Sequence, residues 1–364
     1  MAKLDIEPSL TVAAIYKSYE RKNAGRPSRR LGASSIGQAC ARRTFYDFRW
    51  GGLGGTGFDG RLLRLFETGN LAESRFVENL RAIGCEVHDL DPATKEQFTF
   101  TAVGGHFVDK MDAAVTGLPE APKTWHAAEF KTHGEKSFSE LTRKGVRESK
   151  PEHYAQLMCA MHLSGMDRGL YLAVNKNTDE LYSERLHYNR AEGEALIAYA
   201  QSIITSADAP PRGFSDPDKV PCTFCPHRQI CWPSIPPHPA VPTKVSCRNC
   251  VHATAVVSES CAGQWKCERH GRTLSETEQL AACPDHLFLP SFLPFASVED
   301  ASADAVRYRT KDGRTFENGK GDKQYKSIEL TVIPHTLIAA VPLVDALKAA
   351  EFQIQDYNAR GDET

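Results

Sequence analysis

The chain lacks any run of about 18 apolar residues, so no membrane-spanning helix is expected. Residues 1–10 are mixed and acidic, without the apolar core of a signal peptide, and a cytoplasmic protein is the expectation. Charge of one sign is missing too: 44 Lys and Arg face 46 Asp and Glu, so the net charge of −2 gives no overall bias toward nucleic acid or membrane. No glycine-rich loop lies between a strand and a helix, which excludes a dinucleotide fold built on a phosphate cradle. No internal repeat is present. Cysteine, in contrast, is abundant. Eleven in a cytosolic chain point to metal rather than disulfides, and all but Cys85 and Cys159 fall into two patterned groups.

Charge is uneven along the chain. Residues 1–50 carry ten Lys and Arg against four Asp and Glu, a local basic excess that fits either a phosphate-facing surface or a solvated face. Two stretches rich in Gly and Arg, 22–33 and 50–60, read as loops. Hydrophobic periodicity predicts a helix over 61–83, ended by Gly84. Strands follow over 96–103, 106–116 and 125–132, then a helix from 151 to 165, strands over 170–175 and 180–188, and a helix over 189–207 capped by Asn189. This order predicts an α/β fold, a mixed sheet flanked by helices. A Pro-rich linker at 233–242 precedes a cysteine-rich segment and a tail with strands at 306–309 and 327–332 and a helix near 342–352. Three units are expected: 1–235, 236–292 and a small α+β unit at 293–364.

The sharpest chemical signal is Glu129-Phe130-Lys131. Residues i and i+2 of a strand share a face, so Glu129 and Lys131 point together while Phe130 turns into the core. Such a pair can hold a divalent ion and polarise a water, or be an ordinary exposed ion pair. Asp112 interrupts an otherwise apolar stretch on the preceding strand, just before a turn. Asp109 competes with it, but on a regular strand the two face opposite sides and only one can join Glu129; the small apolar residues after Asp112 favour it. Glu73 shares a helix face with Phe76, Val77 and Leu80, where a buried carboxylate needs a metal or a cation. Gln156 is a polar residue in an otherwise apolar helix, and either lines a site or caps a strand carbonyl.

The order Glu73, Asp112, Glu129-x-Lys131, Gln156 resembles the PD-(D/E)XK nuclease superfamily, most closely its RecB/AddB-type and CRISPR-associated branch and related phage exonucleases. The resemblance covers about residues 30–235. It implies a restriction-endonuclease-like core in which Glu73, Asp112 and Glu129 bind Mg²⁺ or Mn²⁺, Lys131 serves the attacking water, and Gln156 shapes the DNA site; Ala160 stands where the family's Gln-x-x-x-Tyr motif has Tyr. It further implies a deoxyribonuclease, foremost an exonuclease, in recombination, repair or a mobile element. An idle DNA-binding scaffold that keeps the fold is the rival reading, and a regulator working through the cysteine module is another.

Cys222, Cys225 and Cys231 leave a fourth ligand to find, and Cys40 is the upstream candidate. One distant cysteine plus three near the domain's end resembles the [4Fe–4S] staple of the iron–sulfur nucleases; zinc also accepts four thiolates, and the spacing favours iron–sulfur. Arg42 and Arg43, held beside Cys40, are candidate phosphate contacts. The second group reads as a Zn²⁺ module through Cys247, Cys250, Cys267 and Cys283, with Cys261 set aside and His252, His270 and His286 as substitutes. This module or the tail could bind a protein partner, and interleaved basic and aromatic residues (Tyr308, Arg309, Lys311, Arg314, Lys320, Lys323, Tyr325, Lys326) could track a nucleic-acid strand or be a solvated edge.

Overall fold

The computed structural model describes residues 9–23, 28–52, 58–232, 244–258, 262–342 and 345–346. Helix α1 (Leu10–Lys22), the short strand β1 (Leu31–Gly32), α2 (Ala41–Phe48) and the long α3 (Gly60–Ala82) lead into β2 (Glu86–His88). Then come β3 (Thr99–Ala102), β4 (Phe107–Lys110), β5 (Ala113–Thr116) and β6 (His126–His133). Helices α4 (Glu135–Ser149) and α5 (Pro151–Ser164) precede β7 (Arg168–Asn175), β8 (Leu181–His187) and α6 (Arg190–Ile204).

The central sheet is five-stranded in the order β2-β5-β6-β7-β8. It is mixed: β6 and β7 run parallel, and the other pairs are antiparallel. Alternation along the strands divides its side chains between two cores. Ala128, Phe130, Leu170, Leu172 and Val174 pack with Phe76, Val77 and Leu80 of α3. Ala127, Tyr171 and Ala173 pack on the other side with Leu141 and Val146 of α4 and Leu157, Met158 and Met161 of α5. The result is a helix–sheet–helix sandwich, in which each large buried apolar side chain contributes about 1.5–3 kcal/mol.

Local chemistry sets the helix ends. Asp59 accepts from the Leu62 amide to start α3, Asn189 accepts from the Glu192 amide to start α6, and Pro151 opens α5, which Gly165 closes in the left-handed region. Three expectations need correction. The strand expected over 106–116 is two strands in different sheets, because the chain breaks at Met111-Asp112 and β4 instead joins β1 and β3 in a three-stranded sheet. Helix α4 is added; Gly145 (φ 75°) kinks it and interrupts the period of its buried residues Phe138, Leu141 and Val146. In the tail, the strand expected at 327–332 is instead a helical turn over Ser327–Leu330.

After two short turns, α7 (Val220–Thr223) and α8 (Arg228–Cys231), the cysteine-rich segment forms a small sheet of β9 (Ala253–Ala255), β10 (Trp265–Cys267) and β11 (Arg272–Leu274), followed by α9 (Glu276–Ala281). The tail forms β12 (Ala296–Ala301), β13 (Ala305–Thr310) and β14 (Thr315–Gly319), then α10 (Ser327–Leu330), whose Glu329 carboxylate accepts from the Lys326 amide as in a capping box. The expected helix near 342–352 falls largely outside the described residues.

One apolar cluster runs through all three segments, from Leu31 and Phe45 through Trp265 and Phe288 to Leu330 and Ile338. Arg248, 1% exposed, bolts the cysteine-rich segment to the N-terminal region. It donates to the Phe48 and Arg29 carbonyls and to Gln279, and its guanidinium lies 4.2 Å from the Trp265 ring centroid and 4.5 Å from that of Trp50. At Gly104-Gly105 a side chain would strike the backbone at Val256–Ser258 and Ala262–Gly263, so the β3–β4 turn can sit against the module only with glycine there. Among the described residues, no helix is long and apolar enough to cross a membrane.

Candidate active site

Strand β5 covers only the first part of β6. Pairing begins at Ala113 opposite Ala128, so the β6 edge beyond Ala128 has no β5 neighbour. Asp112, one residue before β5, fills the first vacancy: its carboxylate accepts from the Phe130 amide at 2.7 Å. The chain break therefore does two things. It leaves the second half of β6 open beside the cleft, and it anchors Asp112 to the Phe130 amide.

Glu129, Lys131 and His133 alternate along that open stretch on the face away from Phe130. The Lys131 ammonium is ion-paired with Glu129, which is 1% exposed. From the other wall, α3 delivers Glu73. The cleft holds about 420 Å³ and is lined by Gly69, Glu73, Phe76, Lys131, His133, Ser137, Lys150, Glu152 and His153, among others. The structure thus places Glu73 and Lys131 on the cleft wall, with Asp112 and the buried Glu129 off the wall but within electrostatic reach of Lys131.

Electrostatics describes a site short of positive charge. Burial pushes Glu73 up to about 7, and repulsion from Asp112 adds to it against the pull of Lys131. Glu129 is raised by burial, with Lys131 opposing and Asp112 and Asp109 reinforcing. Asp112 is raised by burial as well, against Lys131 and its bond from the Phe130 amide. Burial pulls Lys131 down, but Glu129, Asp112 and Glu73 outweigh it and hold the ammonium above its ordinary value. Lys131 is the ammonium that acts on all three of these acids. Hard oxygen donors are of the type that suits Mg²⁺ or Mn²⁺.

Asp109 corrects the expectation that it faces away from the site. Because the strand breaks between Lys110 and Ala113, the two-residue alternation that separates Asp109 from Asp112 does not apply. Asp109 lies 1% exposed within electrostatic reach of both Asp112 and Glu129, and burial raises it to about 7 with Asp112 adding repulsion.

Sequence reasoning also passed over two histidines. The buried Tyr171 hydroxyl sits 2.8 Å from His133 Nε2 and 2.8 Å from His153 Nδ1, and Ser137 holds the other nitrogen of His133 at 3.2 Å. Burial depresses both rings, to about 4 for His133 and about 3 for His153, with neighbouring lysines adding to the effect, so both are neutral near pH 7. The i+2 step from Lys131 to His133 was the available signal. Gln156 lies on α5, 9% exposed, on the helix that packs against β6.

Cys40, Cys222, Cys225 and Cys231 line one pocket of about 100 Å³. Burial pushes Cys225 up to about 11 and also raises Cys222, to which the neighbouring Cys231 and Cys40 add. Four sulfur donors around one space fit a thiolate-bound cluster or ion. Glu152 lines both this pocket and the acid cleft. Arg42 and Arg43 line the cysteine pocket, not the cleft. Arg42 donates to the Pro210 carbonyl at 2.7 Å, a structural use that competes with the expected phosphate contact.

Cys247, Cys250, Cys267 and Cys283 share a second pocket with His252, His270 and His286. Burial raises Cys247 to about 12 and Cys250 to about 11. Among the described residues, His270, Cys283 and Asp285 form the one set of three metal-type ligand atoms that lie within 4.8 Å of one another. Sequence spacing pointed to His270 as a substitute and missed Asp285, which also pairs with Arg269 and Lys320. Cys261 lies outside the described residues. In the tail, Tyr308 and Tyr325 are buried, Arg309 pairs with Glu299, and Arg314 pairs with Asp312, so the aromatics are core and offer no stacking platform.

No family profile matches the chain, and no curated protein does. Among solved structures the chain is similar to SSO0001, with a TM-score of 0.39 and 13% identity over 63% of this chain and 98% of that one. It is also similar to the alkaline exonuclease LHK-Exo from Laribacter hongkongensis, with a TM-score of 0.33 and 10% identity over 51% and 90%. The same exonuclease in complex with dAMP gives 0.32 and 10% over 52% and 90%. Likenesses this loose assign neither family nor activity.

Proposed function

We propose that this chain is a divalent-metal-dependent nuclease that hydrolyses phosphodiester bonds in DNA, acting foremost as an exonuclease. The observation that carries the reading is that Glu73 and Lys131 face one open cleft while Asp112 and the buried Glu129, ion-paired to Lys131, lie within electrostatic reach of them.

Glu73, Asp112 and Glu129 would hold Mg²⁺ or Mn²⁺, which supplies Lewis-acid stabilisation of charge at the phosphoryl group and the leaving oxygen. Lys131 would place its ammonium beside the attacking water, steadying the hydroxide character that develops on it. Glu129 would fix the lysine's position through their ion pair. Lys150, on the cleft wall, would attract the DNA backbone. The neutral His153 would keep its orientation through the Tyr171 hydroxyl. The four-cysteine pocket would hold a [4Fe–4S] cluster that ties α2 to the end of the nuclease core, and the second pocket would hold Zn²⁺.

The test is cleavage of linear and covalently closed circular DNA by anaerobically purified protein with Mg²⁺, Mn²⁺ or EDTA. Metal-dependent loss of the linear substrate alone supports an exonuclease. Cutting of the closed circle moves the reading to an endonuclease, and binding of both without cutting moves it to a scaffold.

A further inference from the structure

The second cysteine pocket is lined by more than thiols, and one set of donors at its edge stands at metal-ligand spacing. His270 sits in the turn between β10 and β11, and Cys283 and Asp285 follow α9. His270 Nε2 lies 3.7 Å from Cys283 Sγ and 3.5 Å from Asp285 Oδ2. The ligand atoms of the three residues all lie within 4.8 Å of one another.

Other uses of this trio fit the distances less well. A Cys–His–Asp relay divides its two contacts between the two ring nitrogens, whereas here Nε2 faces both partners. A hydrogen bond from Nε2 to a carboxylate oxygen would span about 2.7–3.2 Å, and 3.5 Å lies beyond that range. The atoms instead surround a common point. Zinc bonds of about 2.0–2.3 Å in tetrahedral geometry set nitrogen, oxygen and sulfur ligands about 3.3–3.7 Å apart, which is the spacing of Nε2 from its two neighbours. By the same geometry, four thiolates on one zinc would stand about 3.8 Å apart. Among the described residues, no three of Cys247, Cys250, Cys267 and Cys283 bring their sulfurs within 4.8 Å of one another.

The surroundings of Asp285 suit a ligating carboxylate. Its Oδ1 accepts from the Lys320 ammonium at 2.5 Å, an outer hydrogen bond of the kind that orients a metal-bound carboxylate and leaves the second oxygen to the ion. Arg269 stands 3.4 Å from Oδ2, but its shorter bonds, 2.6 Å each, go to Asp304 and the Ala303 carbonyl.

We propose that His270, Cys283 and Asp285 supply three of the four ligands of a zinc ion at the edge of this pocket, leaving at most one place to Cys247, Cys250 or Cys267. The inference rests on the zinc reading of the second pocket and changes the donors from thiolates alone to a mixed nitrogen, sulfur and oxygen set. Through Asp285 and Lys320 the ion sits where the cysteine-rich segment meets the tail.

The test is zinc binding by the full chain, purified anaerobically, with affinity measured against a competing chelator and the ligand atoms read by zinc X-ray absorption. Zinc in the wild type is expected to show one or two sulfur neighbours, the rest being nitrogen or oxygen. His270→Gln and Asp285→Asn should each weaken zinc by about tenfold or more, the least that even changes behind a ligand cost. Stripped of zinc, His270→Gln should unfold at the wild-type temperature, because the exposed ring then has no ion to hold; a purely structural His270 would lower that temperature with or without zinc. A shell of four sulfurs, or wild-type zinc affinity in both variants, overturns the assignment and leaves a four-thiolate zinc standing. A wild type that binds no zinc removes the zinc reading itself, and this inference with it.

Discussion

The acid cleft and the second cysteine pocket are built in opposite ways. The cleft is open, holds about 420 Å³, and gathers groups that repel one another on the unpaired edge of a strand. The pocket of Cys247, Cys250 and Cys267 is tighter, with these three thiols buried, Cys283 half-buried at its edge, and an apolar core shared with the rest of the chain. Structural metal sites close around their ion and catalytic ones keep a position free. The contrast predicts opposite signs in stability. Removing an acid from the cleft relieves repulsion, whereas removing a thiol deprives the fold of a tie.

The largest effect is expected in the cleft. Asp112→Asn should reduce DNA cleavage by about a thousandfold or more, the loss of several kcal/mol of transition-state stabilisation. Its unfolding temperature in EDTA should not fall; a marked fall would show the acids to be structural. Next, Cys40→Ser should destabilise the chain by about 3 kcal/mol or more, because it unties residue 40 from a cluster near residue 231 and long closures constrain the unfolded chain most. Iron content and denaturant unfolding measure this, and a variant of unchanged stability would remove the staple from the account. Arg248→Ala should cost about 3 kcal/mol through lost packing and unpaired buried partners, seen as separation of the unfolding transitions of the two segments.

The smallest effect is in pH. Glu73 is raised from 4.5 to about 7, so the folded metal-free chain holds a proton that the unfolded chain has released. The stability linked to it is complete below about pH 4.5 and is lost as pH rises through about 7. In EDTA the unfolding temperature should therefore decline between about pH 5 and 8, while Mn²⁺ affinity rises over the same window because the ligands must lose their protons. A Mn²⁺ affinity that is flat across this range would contradict the assignment of Glu73.

Much of this was legible because period-two and period-3.6 patterns carry it. Glu129 and Lys131 share a face by alternation, and Phe76, Val77 and Leu80 are buried where the helical spacing put them. The order of elements gave a mixed α/β fold for the same reason. What was not legible depends on where a pattern stops. Residues 106–116 read as one apolar strand, yet the chain changes sheets at Met111, and the position of Asp109 follows from that break. Helix α4 escaped notice because Gly145 shifts its phase midway. Arg42 and Tyr308 looked available for nucleic acid until their partners, Pro210 and the core, were visible. Asp285 sits beside His270 and Cys283 by tertiary contact, which no cysteine spacing encodes.

The most direct measurement is single-turnover cleavage of linear DNA by Lys131→Ala beside the wild type, with DNA affinity determined for both in Ca²⁺. The account predicts that Lys131→Ala binds DNA as the wild type does and loses cleavage by about a hundredfold or more, because Lys131 serves the attacking water and not the grip on the substrate. Cleavage by Lys131→Ala at the wild-type rate would contradict it.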